Sequence, residues 1–109
     1  STELHPVLAI ALGDTDDIVV RMPVGAGSEV DGKTLAEIEL PIEPGFNVLA
    51  IERDGRYWYR PRRHVDLRAG DQLLANGPEE GRVALAELLG WRLTENDDGD
   101  IELKPLADQ

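Results

Sequence analysis

Short apolar runs along the chain are separated by residues that favour turns. The β-branched run at residues 17–24 predicts a strand that ends in a proline- and glycine-containing loop. Residues 46–53 and 56–60 are two further strand-like runs, and Asp54-Gly55 between them predicts a hairpin with a two-residue type I′ turn. The apolar run at residues 72–76 predicts a buried strand. The expected architecture is therefore built around an antiparallel sheet.

Other segments have the apolar spacing of helices. Residues 7–12 predict a short helix, which we expect to be the end of a preceding helical domain (residues 1–15). A helix of about two turns is predicted over residues 32–40, and another over residues 78–90, where proline begins it and glycine ends it. Residues 91–109 predict either a second hairpin around Asp98-Gly99 or a mobile acidic tail.

Composition narrows the classes of function. The 109 residues suit one domain, and 22 acidic against 11 basic residues give a net charge of −11. This balance excludes a general nucleic-acid binder, which needs clustered positive charge, and it resembles proteins of high-salt cytoplasm. The absence of cysteine excludes disulfide and thiolate chemistry. No apolar run approaches the length of a membrane span, so a cytoplasmic location is expected.

The stretch from Gly27 to Thr34, "GSEVDGKT", fits the phosphate-binding loop pattern, and it follows a predicted strand. A nucleoside-triphosphate site would also need parallel strands and a second strand ending in Asp for magnesium, and the chain offers neither. Glu29, Asp31 and Glu37 would moreover repel a polyphosphate. We therefore interpret the stretch as a structural loop in which Lys33 is a solvated charge.

The stretch "RYWYRPRRHVDLR" holds five of the 11 basic residues and three of the five aromatic ones. Arginines there could grip an anion in fork geometry beside aromatic faces. Strand alternation places Arg56, Trp58 and Arg60 on one face and the two tyrosines on the other. The alternative is an edge strand whose arginines prevent aggregation. His5 and His64 have no convergent partners in the sequence that would indicate a metal or a general base.

Taken in order, four pieces resemble the TrkA-C (RCK-C) family, the C-terminal domain of regulators of potassium conductance. They are "VGAGSEVDGKTLAEIEL", "VLAIERDG", the proline that ends the next strand, and "LRAGDQLLANG", and the similarity covers residues 16–90. Members of that family carry the glycine-lysine stretch as a structural loop. The leading "ELHPVLAIALGDTDD" resembles the helical run before this domain in archaeal proteins that join a PhoU-like domain to TrkA-C.

The resemblance implies a small α+β domain with a mainly antiparallel sheet and two or three short helices, which forms a homodimer. It implies a non-enzymatic regulator without a cofactor, on the cytoplasmic side of a potassium channel or transporter. Some bacterial members bind cyclic di-AMP at the dimer interface, and the matching ligand-binding positions here are Asn47, Val48, Arg56 or Arg60, and Pro61. Two alternatives stay open: a dimerisation module without a ligand, and a phosphate-loop protein that uses Gly27 to Thr34.

Overall fold

The computed structural model describes residues 17–41 and 45–106. Four strands form an antiparallel sheet in the order β1-β4-β2-β3. These strands are β1 (Ile18–Pro23), β2 (Asn47–Arg53), β3 (Arg56–Tyr59) and β4 (Gln72–Gly77). All four strand predictions are confirmed within one residue, because short apolar or aromatic runs bounded by turn residues have few other ways to bury their side chains and satisfy their backbone.

The hairpin of β2 and β3 has the predicted turn. Asp54 and Gly55 have φ angles of 52° and 79°, the left-handed values that a type I′ turn requires at both central positions. The turn aligns Arg53 with Arg56, and the pairing continues to Ala50 opposite Tyr59.

A β-bulge interrupts β2 where it pairs with β4. The register shifts between Val48 and Ala50, so Leu49 is the extra residue. Leu49 and Ala50 pack together with Leu74 in a small cluster, whereas Val48 and Ile51 belong to the main core. The bulge therefore places Val48 on the main-core side of the sheet, where regular alternation from Ile51 would have placed Leu49.

The predicted helix over residues 32–40 is wrong, since only the 3-10 turn Leu35–Glu37 forms there. The backbone of this segment bonds instead to residues 63–67. The amide of Gly32 donates to the Leu67 carbonyl at 2.8 Å, and the Leu67 amide donates to the Lys33 carbonyl at 2.8 Å. Carbonyls and amides engaged in this ladder are not available for helical i to i−4 bonds. Propensity is overridden by a tertiary partner that the local sequence does not reveal.

The second predicted helix is present in a shorter form. A 3-10 turn, Glu79–Gly81, leads into α1, Arg82–Leu88. The expectation of two or three short helices is therefore corrected to one short α-helix with two 3-10 turns among the described residues. The predicted helix at residues 7–12, like the rest of residues 1–15, lies outside the described residues.

Residues beyond the helix form a second hairpin, which resolves the alternative of hairpin or tail over the residues described. Strand β5 (Trp91–Glu95) pairs with β6 (Ile101–Pro105) around a turn of residues 96–100. At its base the indole Nε1 of Trp91 donates to the Pro23 carbonyl at 2.7 Å, which fixes the hairpin to the end of β1.

The main core lies between one face of the sheet and the helix. Its fully buried side chains come from the strands, the loops and α1, and the largest are Ile51, Leu67, Leu73, Leu85 and Leu89. Gly25 lets the loop after β1 approach the helix end, because a Cβ there would lie 2.7 Å from the Leu89 carbonyl oxygen. The Gly25 amide donates to that oxygen at 2.8 Å. This contact holds α1 against the sheet.

Candidate functional site

Four of the nine exposed basic side chains among the described residues are arginines of β3, the edge strand of the sheet, and of the segment that follows it. Within residues 17–41 and 45–106 these arginines form no ion pair, although the chain has twice as many acids as bases. They are Arg56, Arg60, Arg62 and Arg63, and all are exposed. A group of unpaired guanidinium groups in so acidic a chain is a local positive surface that is suited to an anion.

The structure places the predicted ligand-binding residues at two ends of the hairpin. The Arg60 amide donates to the Leu49 carbonyl at 2.9 Å, which sets Arg60 and Pro61 beside the start of β2, where Asn47 and Val48 lie. Arg56 pairs with Arg53 at the turn, four residues and about 13 Å along the strand from Arg60. Of the two arginines that the sequence offered, Arg60 is therefore the one near the other predicted residues.

These neighbouring residues differ in exposure. Asn47 and Arg60 are exposed, and Val48 and Pro61 are half-buried. Val48 packs against the main core, so its backbone is well supported, and Asn47 lies opposite Asn76 of β4. The arrangement offers an amide and a guanidinium to solvent beside a partly apolar base, which can hold a flat or anionic group.

Arg60 has a φ of 48°, in the left-handed region that residues other than glycine rarely enter. Such a conformation costs on the order of 1 kcal/mol, and it persists where surrounding contacts impose it. Here the contact is the hydrogen bond from the Arg60 amide to the Leu49 carbonyl. The strain turns the chain out of the sheet directly at the cluster of predicted ligand-binding residues.

A nearly buried ion pair fixes the hairpin to the rest of the domain. Arg53 donates from Nε and Nη2 to the two carboxylate oxygens of Asp71 at 2.8 and 2.7 Å, and from Nη2 to the Asp66 carbonyl at 3.0 Å. The Asp71 side chain is 2% exposed. Its hydrogen bond to Arg53 is the main cause that raises the pKa of the Arg53 guanidinium. The same guanidinium lies 5.2 Å from the centre of the Trp58 ring.

The opposite face of the sheet carries the two tyrosines, as alternation predicts. The rings of Tyr57 and Tyr59 stack with centroids 5.7 Å apart. Arg21 of β1 donates to the Tyr57 hydroxyl at 3.3 Å and forms an ion pair with Glu52. The hydrogen bond to Tyr57 is the largest cause that raises the pKa of Arg21. This face and the Trp58 face therefore cannot contact one ligand within a single copy.

Carboxylates of the glycine-lysine loop accept hydrogen bonds from the loop's own backbone amides. The Gly27 amide donates to Asp31 Oδ2 at 2.9 Å, and Asp31 Oδ1 accepts from the Ala69 amide at 3.1 Å. The Thr34 amide and hydroxyl both donate to Glu37 Oε1, at 2.8 and 3.0 Å. The donors that would cradle a phosphate are thus already bonded to carboxylates, in agreement with a structural loop.

Beside this loop lies an open cleft of about 300 Å³. Its charged lining consists of Lys33 and the carboxylates of Glu29, Glu37 and Glu39. Three acids around one lysine make the cleft unfavourable for a polyphosphate. No group of His, Cys, Asp or Glu among residues 17–41 and 45–106 is arranged to hold a metal ion.

The family model of the TrkA-C domain matches residues 19–90. The chain belongs to the TrkA-C family. It is thus a regulatory domain of potassium transport, as the order of its sequence motifs indicated. The match ends at residue 90, two residues after α1, so the hairpin of β5 and β6 lies beyond it.

One solved structure with the same fold is the RCK C domain of the potassium transport protein KtrA in complex with cyclic di-AMP. It is 22% identical, with a TM-score of 0.54 over 68% of this chain and 84% of that one. Among curated proteins, none matches the chain in sequence. In the part of the chain that the structure describes, no helix is long and apolar enough to cross a membrane.

Sequence reasoning missed the pairing of Arg53 with Asp71. Asp71 immediately precedes the apolar run of β4, and an acid in such a position is equally typical of a solvated turn. Only the closure of the sheet, which brings the first residues of β4 beside the last residues of β2, makes the two side chains neighbours. The local sequence carries no signal of this contact.

Proposed function

We propose that this domain senses a small anionic ligand between two copies of the chain and passes its occupancy to a potassium channel or transporter on the cytoplasmic side of the membrane. Cyclic di-AMP is the leading candidate ligand. The observation that carries the proposal is the cluster of Asn47, Val48, Arg60 and Pro61 at one end of the hairpin, with the Arg60 guanidinium exposed and without an ion pair among the described residues.

Each residue of the cluster has a chemical role in this proposal. The Arg60 guanidinium binds a phosphate through charge-assisted hydrogen bonds, and the Asn47 amide bonds a base or a ribose. Val48 and Pro61 supply the apolar contact beneath a flat base. A cyclic dinucleotide has two phosphates and two bases, so its two-fold symmetry matches a site that two copies share.

A ligand held by two copies favours the dimer geometry to which it binds best. An attached gate responds only as far as the ligand's affinities for the two geometries differ. The KtrA domain, whose fold this chain shares, was solved with cyclic di-AMP bound, which supports this choice of ligand. A ligand-free dimerisation module is the alternative, and it predicts no saturable binding.

The test is a calorimetric titration of the chain with cyclic di-AMP in potassium chloride, with magnesium-ATP titrated in parallel. Saturation near one dinucleotide per two chains is expected, with no heat from magnesium-ATP. Arg60→Ala should weaken binding about tenfold or more, the cost of one charged hydrogen-bonding group. Arg92→Ala on β5, which removes another exposed arginine without a described ion pair, should leave binding unchanged.

The choice between the two hairpin arginines is tested in the same way. Arg56→Ala should have a smaller effect than Arg60→Ala, because Arg56 lies at the far end of the hairpin. Absence of binding by the unmodified chain would favour the dimerisation module. Binding of magnesium-ATP that is lost in Lys33→Ala would instead restore the phosphate-loop hypothesis.

A further inference from the structure

Two exposed segments of opposite charge belong to different elements of the domain. The basic loop, residues 61–64, follows β3 and contains Arg62 and Arg63. The acidic tip, residues 96–100, closes the hairpin of β5 and β6 and contains Asp97, Asp98 and Asp100. All of these charged side chains are exposed, and none forms an ion pair within residues 17–41 and 45–106.

The two segments are attached to opposite edges of the four-stranded sheet. The basic loop continues from β3, the strand at one edge, and the hairpin that carries the acidic tip is fixed to β1, the strand at the other edge, through Trp91 and Pro23. Three strand spacings, about 14 Å, separate these edges. Since the charges do not pair within one copy, they are available to a second molecule.

The acidic tip has a fixed backbone. Asn96 Oδ1 accepts from the amides of Asp98 and Asp100, both at 2.9 Å, and the Asn96 amide donates to the Asp100 carbonyl at 2.9 Å. The Gly99 amide donates back to the Asn96 carbonyl at 2.9 Å. These bonds hold the backbone that carries the three carboxylates in one turn, so little backbone entropy is lost when the turn meets a partner.

The basic loop is equally well held. The Val65 amide donates to the Arg62 carbonyl at 3.0 Å, which closes a turn around both arginines. The Arg63 carbonyl accepts from the Ala36 amide at 2.9 Å, and this bond ties the turn to the 3-10 segment. Pro61 restricts the backbone ahead of the turn. The two guanidinium groups are therefore presented from a rigid base, in the fork geometry that suits carboxylates.

We propose that the acidic tip of one copy docks on the basic loop of a second copy, with Arg62 and Arg63 pairing with Asp97, Asp98 and Asp100. The contact is heterologous, because each copy contributes different surfaces to its two neighbours. It thus adds copies in a ring or a row, and it is separate from the two-fold dimer of the proposed function. It requires no ligand.

The charges of the two copies predict that association first strengthens and then weakens as the salt concentration rises. Each copy carries a net charge of −11, so copies repel one another at low ionic strength. At about 0.15 M salt the screening length is roughly 8 Å, which weakens that long-range repulsion but leaves ion pairs at contact distance. At about 1 M it falls to roughly 3 Å and the pairs weaken too. Association should therefore be strongest at intermediate salt.

Sedimentation of the full chain, without ligand, tests the contact through charge reversal. One variant carries Arg62→Glu and Arg63→Glu, and the other carries Asp97→Arg and Asp98→Arg. Each variant alone should lose the rise in mass with concentration that the unmodified chain shows in about 0.15 M potassium chloride, with the dissociation constant raised about tenfold or more. An equal mixture should recover the association, because each loop then meets a tip of opposite charge.

The control is Glu29→Arg with Glu39→Arg, which changes the net charge as much as the reversed tip does but alters exposed acids elsewhere. It should associate at least as well as the unmodified chain. The circular dichroism spectra and unfolding midpoints of all variants confirm that they are folded.

The proposal is overturned if the unmodified chain shows no rise in mass beyond a dimer, if the reversed variants associate as it does, or if their mixture fails to recover association. Cyclic di-AMP titration reports separately on the proposed function. Absence of ligand binding with intact association contradicts the proposed function alone. Absence of association with intact ligand binding contradicts the docking of the acidic tip alone.

Discussion

Arg53 and Asp71 form a bidentate ion pair across the junction of β2 and β4, with Nε to Oδ1 at 2.8 Å and Nη2 to Oδ2 at 2.7 Å. The Asp71 side chain is almost completely buried, and its remaining described hydrogen bond comes from the Arg68 amide at 2.9 Å. The pair fixes the turned end of the hairpin to the loop that precedes β4.

Arg53→Ala is expected to lower the free energy of unfolding by about 3 kcal/mol, because it leaves the buried Asp71 carboxylate without its counter-charge. Urea denaturation measures this change. Arg56→Ala, which removes the exposed cross-strand neighbour, is the matched control and should stay within about 0.5 kcal/mol. A loss for Arg53→Ala no larger than that of the control would show that the ion pair contributes nothing to stability.

Gly25→Ala should destabilise the domain by about 1 to 3 kcal/mol, since the added methyl would meet the Leu89 carbonyl oxygen at 2.7 Å and the backbone would have to move. The hydrogen bond from the amide of residue 25 to that oxygen should open, and hydrogen exchange of this amide should become faster. Ala26→Ser adds one atom to the exposed neighbour and should have an effect within about 0.5 kcal/mol. Unchanged stability and exchange in Gly25→Ala would contradict the close contact.

The Glu37 carboxylate predicts a pH dependence of stability. Hydrogen bonds from the Thr34 amide, and then from its hydroxyl, lower the pKa of Glu37 below its ordinary value of 4.5. Because the folded pKa lies below the unfolded one, this carboxylate stabilises the fold above the unfolded pKa, and the contribution is lost as the pH falls through the folded pKa. Below about pH 4.5, Glu37→Gln should therefore lose stability less steeply than the unmodified chain.

Carboxyl NMR of Glu37 provides a direct check of the same group. Its titration midpoint in the folded domain should lie below 4.5. A midpoint at or above this value, together with parallel stability curves for the two proteins, would rule out the hydrogen-bonded carboxylate.

Local patterns were sufficient for the strands and for the hairpin turn. The Asp54-Gly55 turn is determined by its own two residues, and the β-branched run of β1 has one apolar side to bury. They were insufficient for residues 32–40, where helical spacing competes with a backbone ladder to residues 63–67. The partner in that ladder is some 30 residues away, so no window of neighbouring residues could include it.

The same reasoning applies to the candidate site. The family resemblance indicated Asn47, Val48 and Pro61, but it could not choose between Arg56 and Arg60. That choice depends on where β3 ends and on the positive φ of Arg60, which turns the chain beside Leu49. The rigidity of the basic loop likewise depends on its distant partner, Ala36.

The bulge at Leu49 determines which side of the sheet Asn47 and Val48 face. If Leu49 took a regular place in the alternation of β2 instead of forming the bulge, Asn47 would point to the interior and Val48 would point to solvent, the reverse of what is observed. Deleting Leu49 would remove the bulge and make Val48 and Ala50 consecutive opposite Ala75 and Leu74, so Asn47 would still face solvent and Val48 the core. A relative with a one-residue gap at this point can therefore keep the same arrangement of Asn47 and Val48, whereas one that has a residue at position 49 needs the bulge to do so.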